Sequence, residues 1–366
     1  MSDEQAVSLR GTDGQVHKFD EYNHTVVLPD GRKVDFTEYD PSNEHQRDFT
    51  QANVHVAAAL TNFAIDYGSN QSEAIADMAA PVVLVDKASD TYHTYSKQNK
   101  LRRVTALLTS EDAGIPEVGP VKSTDTYNTK PYGLSTFIGQ GVEANADPGV
   151  NPRLRAMARI MNAMVMEREH RCATALMNAT TFSGYTTALT SSNYWDGGAS
   201  SDPVKDIYTA QESTLKNPNR MILSQKGWNR FVSNEQIAKH AIYVGEALSK
   251  SPQALMASLG FPEIMPLIGS MKSESQTAGT TTESYIWDDD CLFAYMPIGN
   301  SIEDVLTART FRWLKGGMSR ESGGYRIREW DEPNRGQDGG RRLAVVTNEV
   351  IKVTAADTGY LYTNVY

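Results

Sequence analysis

"NYWDGGASSDPVKDI", residues 193–207, passes from a Gly/Ser-rich stretch directly into a helix start. Asp202 suits the N-cap, Pro203 suits the first helical position, where a missing N–H costs nothing, and Asp206 puts negative charge in the first turn. Read alone, the stretch predicts an unanchored surface turn carrying Trp195, followed by a helix. Its meaning depends on the elements to either side.

The 366-residue chain is 40% hydrophobic and 22% charged, enough for one large or two moderate cores. Apolar runs such as residues 79–85 fall far short of the roughly 20 residues a bilayer span needs. The opening "MSDEQAVSLRGTDG" lacks the charged-then-apolar order of a signal peptide, so a cytosolic origin without membrane association is expected. Cys172 and Cys291 are too few and too far apart for a disulfide framework or a thiolate metal site, and read as small buried hydrophobes. Net charge is −10, and residues 1–50 carry eleven Asp/Glu against five Lys/Arg. A chain this acidic, without a basic tail or stripe, is a poor nucleic-acid reader.

Outward from the opening stretch, residues 1–50 read as a small β arm, with Asp30-Gly31 as the turn of a hairpin between Val26–Leu28 and Val34–Phe36. Residues 51–66 read as a helix, and "SEAIADMAAPVVLV" as a short helix leading into a strand that starts at a proline. From Tyr92 to Phe137 the chain is polar and broken by Gly/Pro turns, yet bounded by Tyr/Thr-rich segments. That pattern predicts a long β-hairpin projecting from the body and needing a neighbour to cover it. Residues 151–179 predict one long amphipathic helix with apolar positions at Leu154, Met157, Met161, Met164, Ala175 and Leu176. Its methionines read as core filling rather than a metal box. Beyond 207 come the strand "RMILS", helices around Trp228 and at "PQALMASLG", and a strand-like "EIMPLIGSMK". The segments "DDDCLFAYM", "TFRWLK", "YRIREWD" and "RRLAVVTNEVIKVT" read as strands of an antiparallel sheet, and the chain finishes with "TGYLYTNVY". Without a regular βαβ period the class is α+β.

Chemistry is sparse. There is no phosphate loop, dinucleotide fingerprint, nucleophile elbow or His-Glu-x-x-His. His170-Arg171-Cys172 point to different helix faces, which suits no metal site. Asp288-Asp289-Asp290 lacks calcium-loop spacing and reads as a charged turn before a strand, and Glu329 to Glu332 as a solvated strand end. No catalytic residue, cofactor or metal is assigned.

The order of these parts resembles the major capsid proteins of tailed bacteriophages with the HK97 fold. Residues 50–91, with "DMAAPVVLVD", are similar to that family's N-terminal helix and the strand entering its extended loop. The long helix resembles its spine helix, and "NYWDGGASSDPVKDI" its passage from the spine into the axial domain. "NPNRMILS", "GWNRF", "ESYIWDDDCLFAYM", "TFRWLK" and "TGYLYTNVY" carry the likeness from there nearly to the C-terminus. The resemblance implies an α+β capsid fold with an N-terminal β arm (1–50) and an N-terminal helix and strand of the peripheral domain (51–91). An E-loop (92–137) and the peripheral domain with its spine helix (138–200) follow. The remainder is a mainly axial region with strands returning to the peripheral domain (201–335), and C-terminal strands (336–366).

It further implies a shell subunit of the virion, assembled in the host cytoplasm as pentamers and hexamers around double-stranded DNA bound without sequence specificity. Implied partners are the chain itself, a separate scaffolding protein or none, a portal and decoration proteins. Between Lys97 and Lys130 the loop carries six Lys/Arg against four acids. Lys97, Lys100, Arg102, Arg103, Lys122 and Lys130 are therefore the expected intersubunit contacts, and nothing singles out one lysine for a covalent crosslink. Two other readings stay open: an α+β hydrolase using Asp288, Glu329 or Asp331, and a phage tail or baseplate ring protein.

Overall fold

The computed structural model describes the strands within residues 8–35 and residues 73–94, 123–147, 151–197, 200–243, 251–277, 280–297, 305–315 and 323–366. The chain divides into two compact units, Met1–Ala59 and Leu60–Tyr366. In the first, β1 (Ser8–Arg10), β2 (Val16–Asp20), β3 (Thr25–Val27) and β4 (Lys33–Asp35) form an antiparallel meander. The expected hairpin is there, with Val26 opposite Val34. The helix expected at 51–66 lies outside the described residues.

The second unit opens with α1 (Ala76–Ala79) and β5 (Val82–Val85), the short helix and strand anticipated around Pro81. β6 (Ser89–Thr94) and β7 (Ser123–Asn128) pair antiparallel where the sequence predicted the base of a long hairpin, whose intervening residues lie outside the described residues, and β8 (Lys130–Gly139) pairs with β17. After α2 (Gln140–Ala144) comes α3 (Pro152–Leu176), 25 residues long. Its start is fixed locally: the Asn151 side chain accepts from Arg153 N and Leu154 N, and Pro152 occupies the first turn. The same device of a polar cap followed by proline starts α4 and α7 below.

Then follow β9 (Thr186–Ala188), α4 (Pro203–Ser213), β10 (Arg220–Ser224), α5 (Gln225–Ser233), α6 (Glu235–Tyr243) and α7 (Pro252–Ser258). Asp202 caps α4 through Lys205 N at 3.1 Å, Ser224 caps α5 through Gly227 N, and Ser251 caps α7. Gly260, at φ +91°, turns the chain out of α7 in a conformation that favours glycine. The remaining strands are β11 (Met265–Gly269), β12 (Lys272–Thr277), β13 (Thr280–Tyr285), β14 (Cys291–Ala294), β15 (Ala308–Trp313), β16 (Tyr325–Glu332), β17 (Gly340–Val353) and β18 (Gly359–Thr363).

The C-terminal strands do not share one antiparallel sheet, as the sequence suggested. They divide between two. One has the order β11-β10-β14-β18-β9, and the other is built on β17, which pairs with β8 along one edge and with β16 and β15 along the other, β5 following β15. Three pairings, β10–β11, β15–β5 and β18–β9, are parallel. Short apolar runs such as Cys291–Ala294 carry strand character but no address, and only packing decides their sheet.

The first sheet is buried on both faces. Met221, Leu223, Phe293, Tyr360 and Tyr362 point into a core with Trp195, Trp228 and Phe231. Their neighbours Ile222, Leu292 and Leu361 point the opposite way, into a core with Cys172, Leu176 and Phe182 from α3 and the turn after it. The two-residue period of a strand thus sorts one run of apolar residues into two cores.

Candidate functional site

The opening stretch is anchored, contrary to its reading as a free surface turn. Trp195 is fully buried, its backbone N–H donates to Val365 O at 2.8 Å, and its carbonyl accepts from Asn234 Nδ2 at 3.1 Å. Its indole Nε1 donates to Asp206 Oδ2 at 2.9 Å. Asp206 therefore does more than charge the first helical turn. Burial raises its pKa, and the Trp195 hydrogen bond opposes that rise. Tyr362 Oη donates to the Asp206 carbonyl at 2.9 Å, so the stretch is tied to β18 as well as to α4.

The densest polar centre is one that sequence reasoning missed: residues 168–172 of α3, which between them reach α1, β8, β12, β17 and the turn at Trp287. Arg168 pairs with Asp77 of α1 and lies 3.6 Å from Glu349 of β17. Glu169 accepts from Ala76 N at 2.6 Å and from Trp287 Nε1 at 2.7 Å. His170 Nε2 lies 3.0 Å from Ser273 Oγ on β12. Arg171 donates to Glu349 Oε1 at 2.9 Å and stacks 3.6 Å over the Tyr132 ring of β8. Cys172 Sγ faces Ala76 O. His170, Arg171 and Cys172 indeed diverge, but each divergence ends on a partner.

Glu349 is the anionic centre of this hub, 0% exposed. Arg312 of β15 gives its Oε2 two charge-assisted hydrogen bonds, from Nε at 3.0 Å and Nη2 at 2.7 Å, leaving Oε1 to Arg171. Burial works against its charge, yet Arg312, Arg168 and Arg171 together hold its pKa below the usual carboxylate range. The clue in the sequence was small: Arg168 falls on the stripe Met157, Met161, Met164, Cys172 that the helix buries. A charge on an apolar stripe must be paired or expelled.

The β6–β7 pair is also anchored. Tyr92 of β6 and Tyr127 of β7 flank Phe311 of β15, with ring centroids at 5.1 Å and 4.5 Å. Tyr92 Oη donates to Asp125 Oδ2 at 2.8 Å, and Thr129 N donates to Ala88 O at 2.9 Å. Of the expected contact residues, Lys97, Lys100, Arg102, Arg103 and Lys122 lie outside the described residues. Lys130 is described: it begins β8, opposite Glu349 in the ladder with β17.

Of the candidate hydrolase carboxylates, Glu329 and Asp331 lie beside arginines. Glu329 lies 3.3 Å from Arg341 Nη1 and 3.5 Å from Arg153 Nη1, and Asp331 lies 3.1 Å from Arg341 Nε. Asp288 to Asp290 form the turn before β14 and hold the last residues of the chain: Val365 N donates to Asp289 O, Tyr366 Oη to Asp288 O, and Asn364 N to Asp290 Oδ1. Burial, then the charges of Asp289 and Asp288, push the Asp290 carboxyl up to about 6, against the Asn364 hydrogen bond. Among the described residues no three His, Cys, Asp or Glu side chains converge as metal ligands, and no helix is long and apolar enough to cross a membrane.

No family model matches the chain. The chain is 24% identical over 308 residues to a major capsid protein of Pseudomonas phage JBD67, covering 83% of this chain and 95% of that protein. A phage-related protein from Bordetella bronchiseptica superposes with TM-score 0.63 at 20% identity, covering 84% of this chain and 97% of that one. The capsid of cyanophage P-SCSP1u gives TM-score 0.50 at 11% identity, over 78% of this chain and 86% of that one. In fold the chain is HK97-like, and in sequence it is similar to a phage major capsid protein.

Proposed function

We infer that this chain is the structural subunit of a bacteriophage icosahedral capsid, self-assembling into pentamers and hexamers that enclose double-stranded DNA. The observation that carries the reading is an HK97-like fold joined to sequence similarity over 95% of a phage major capsid protein. The polar groups agree with a mechanical role. The raised carboxylates Asp206, Glu169 and Asp290 each accept a hydrogen bond from a structural donor. The subunit belongs to the virion and assembles in the host cytoplasm, with a separate scaffolding protein, a portal and decoration proteins as partners and DNA held without sequence-specific contacts. Its work is shell building rather than catalysis.

The hairpin rising from β6 and β7 is the intersubunit strap. Its stem is fixed on Phe311, and the segment between carries Lys97, Lys100, Arg102, Arg103 and Lys122 in a chain of net charge −10. Charge sets its register on an acidic neighbour while apolar and backbone contacts supply most of the affinity, because exposed ion pairs give only about 0–1 kcal/mol each.

Electron microscopy of the purified chain tests the first claim: closed shells or capsomers support it, whereas tubes, stacked rings or a small monodisperse particle overturn it. Replacing residues 97–120 by Asn-Gly tests the second. A soluble subunit that no longer closes shells is expected, and full-size particles would remove the strap. Reversing the charge of Arg102 and Arg103 should weaken assembly most at low salt, where screening is least.

A further inference from the structure

We propose that Glu169 is a protonation-controlled latch joining the spine helix α3 to the incoming chain at Ala76 and to the turn at Trp287. Two N–H donors converge on one carboxyl, Ala76 N on Oε1 at 2.6 Å and Trp287 Nε1 on Oε2 at 2.7 Å. Ala76 is 3%, Glu169 1% and Trp287 0% exposed, so neither donor has water to fall back on. Gly269 of β11 makes the contact possible, since a side chain there would collide with the indole ring.

The donor count decides the chemistry. A carboxylate accepts both bonds. A neutral acid keeps a strong acceptor only at its carbonyl oxygen; the hydroxyl oxygen, with its charge gone, is a poor acceptor, so one of the two bonds is effectively lost. The charged state therefore couples three elements, and the neutral state couples two.

The surroundings make the neutral state accessible within the fold. Burial raises the Glu169 pKa; the bonds from Ala76 and Trp287 and the charge of Arg168 lower it, and Asp77 raises it. The other ionisable groups nearby are Cys172, one turn along α3, and Glu349, which lies behind Arg168 and is neutralised by its arginines. Because folding raises the pKa, acidification favours the folded chain at this position while it removes one of the two bonds. The latch opens without unfolding. In a shell subunit it would loosen the link between the spine helix and the buried sheet on acidification, but the latch itself is a property of the single chain and is tested there.

The test is hydrogen exchange at the Ala76 amide and the Trp287 indole in the full chain, followed from neutral to acidic pH and corrected for the intrinsic pH dependence of exchange. Wild type should lose protection at one of these sites as the carboxyl protonates. Glu169→Gln, a permanent mimic of the neutral acid, should exchange about tenfold faster at one of them at neutral pH, with no further response to acid. Trp287→Phe removes one donor, so its Ala76 amide should stay protected at every pH, because the neutral acid still has one acceptor to offer. Two results overturn the proposal: wild-type protection at both sites in Glu169→Gln, or an Ala76 amide in Trp287→Phe that still loses protection on acidification. Should Glu169→Gln fail to fold, wild type and Trp287→Phe decide between the same outcomes.

Discussion

The two large sheets are stabilised by opposite means. The β11-β10-β14-β18-β9 sheet is held by apolar side chains on both faces, whereas the sheet built on β17 meets the spine helix through Arg168 and Arg171 at buried Glu349, which Arg312 of the neighbouring strand also binds. Apolar burial is non-directional and tolerates small shifts of one element over another. Directional, charge-assisted hydrogen bonds such as Arg171 to Glu349 do not. The first sheet supplies stability, and the second junction supplies position.

The sharpest way to break this contrast is at the centre of each region. Phe293→Ala should cost about 3–5 kcal/mol, as for other fully buried aromatics truncated in a core, and a urea melt would show it. Glu349→Gln should cost about 3 kcal/mol, because three guanidinium groups lose their shared anion, and added salt should change that little. A Glu349→Gln melt indistinguishable from wild type would mean that packing alone holds the spine helix. Asp202→Ala should cost about 1 kcal/mol through the lost cap on Lys205 N, a local effect that leaves both regions intact in a thermal melt.

The smallest effect is at Asp290, a charged residue at the margin of the apolar sheet. Its folded pKa of about 6 lies above the ordinary 3.8, so the folded chain holds the proton more tightly than the unfolded chain and gains stability as pH falls through that window. Asp290→Asn keeps an acceptor for Asn364 N and should be more stable than wild type at pH 7, by no more than about 1 kcal/mol at this partly exposed turn. The advantage should vanish as pH approaches 3.8. A constant difference across that range would place the charge strain elsewhere.

Much of this fold was legible in the sequence because its elements are locally determined. Asn151-Pro152, Asp202-Pro203 and Ser251-Pro252 mark three helix starts, and the apolar stripe of residues 157–176 marks the long helix. The paired stem of the hairpin was readable from its Tyr/Thr-rich borders. The division of strands between two sheets was not, since Cys291–Ala294 is equally apolar whichever sheet receives it. The hub was least legible. Arg168, Glu169, Arg312 and Glu349 are ordinary charged residues in a sequence, and only partners 37 to 181 positions away turn them into a buried network. Trp195 shows the same limit, because its partner Asp206 is near in sequence but Val365 is not.

β17 runs unbroken for 14 residues, paired on both edges, and a strand of that length has many ways to dock one step out of place. A slip of one residue would turn Glu349 to the opposite face and present Asn348 or Val350 to Arg171 and Arg312. Buried Arg312 would then lose its carboxylate, and Arg168 and Arg171 would be left with Asp77 and Glu167 alone, a cost above that of exchanging one apolar neighbour for another. The arginines therefore act as a register mark for the strand, admitting the one alignment that sets Glu349 among them.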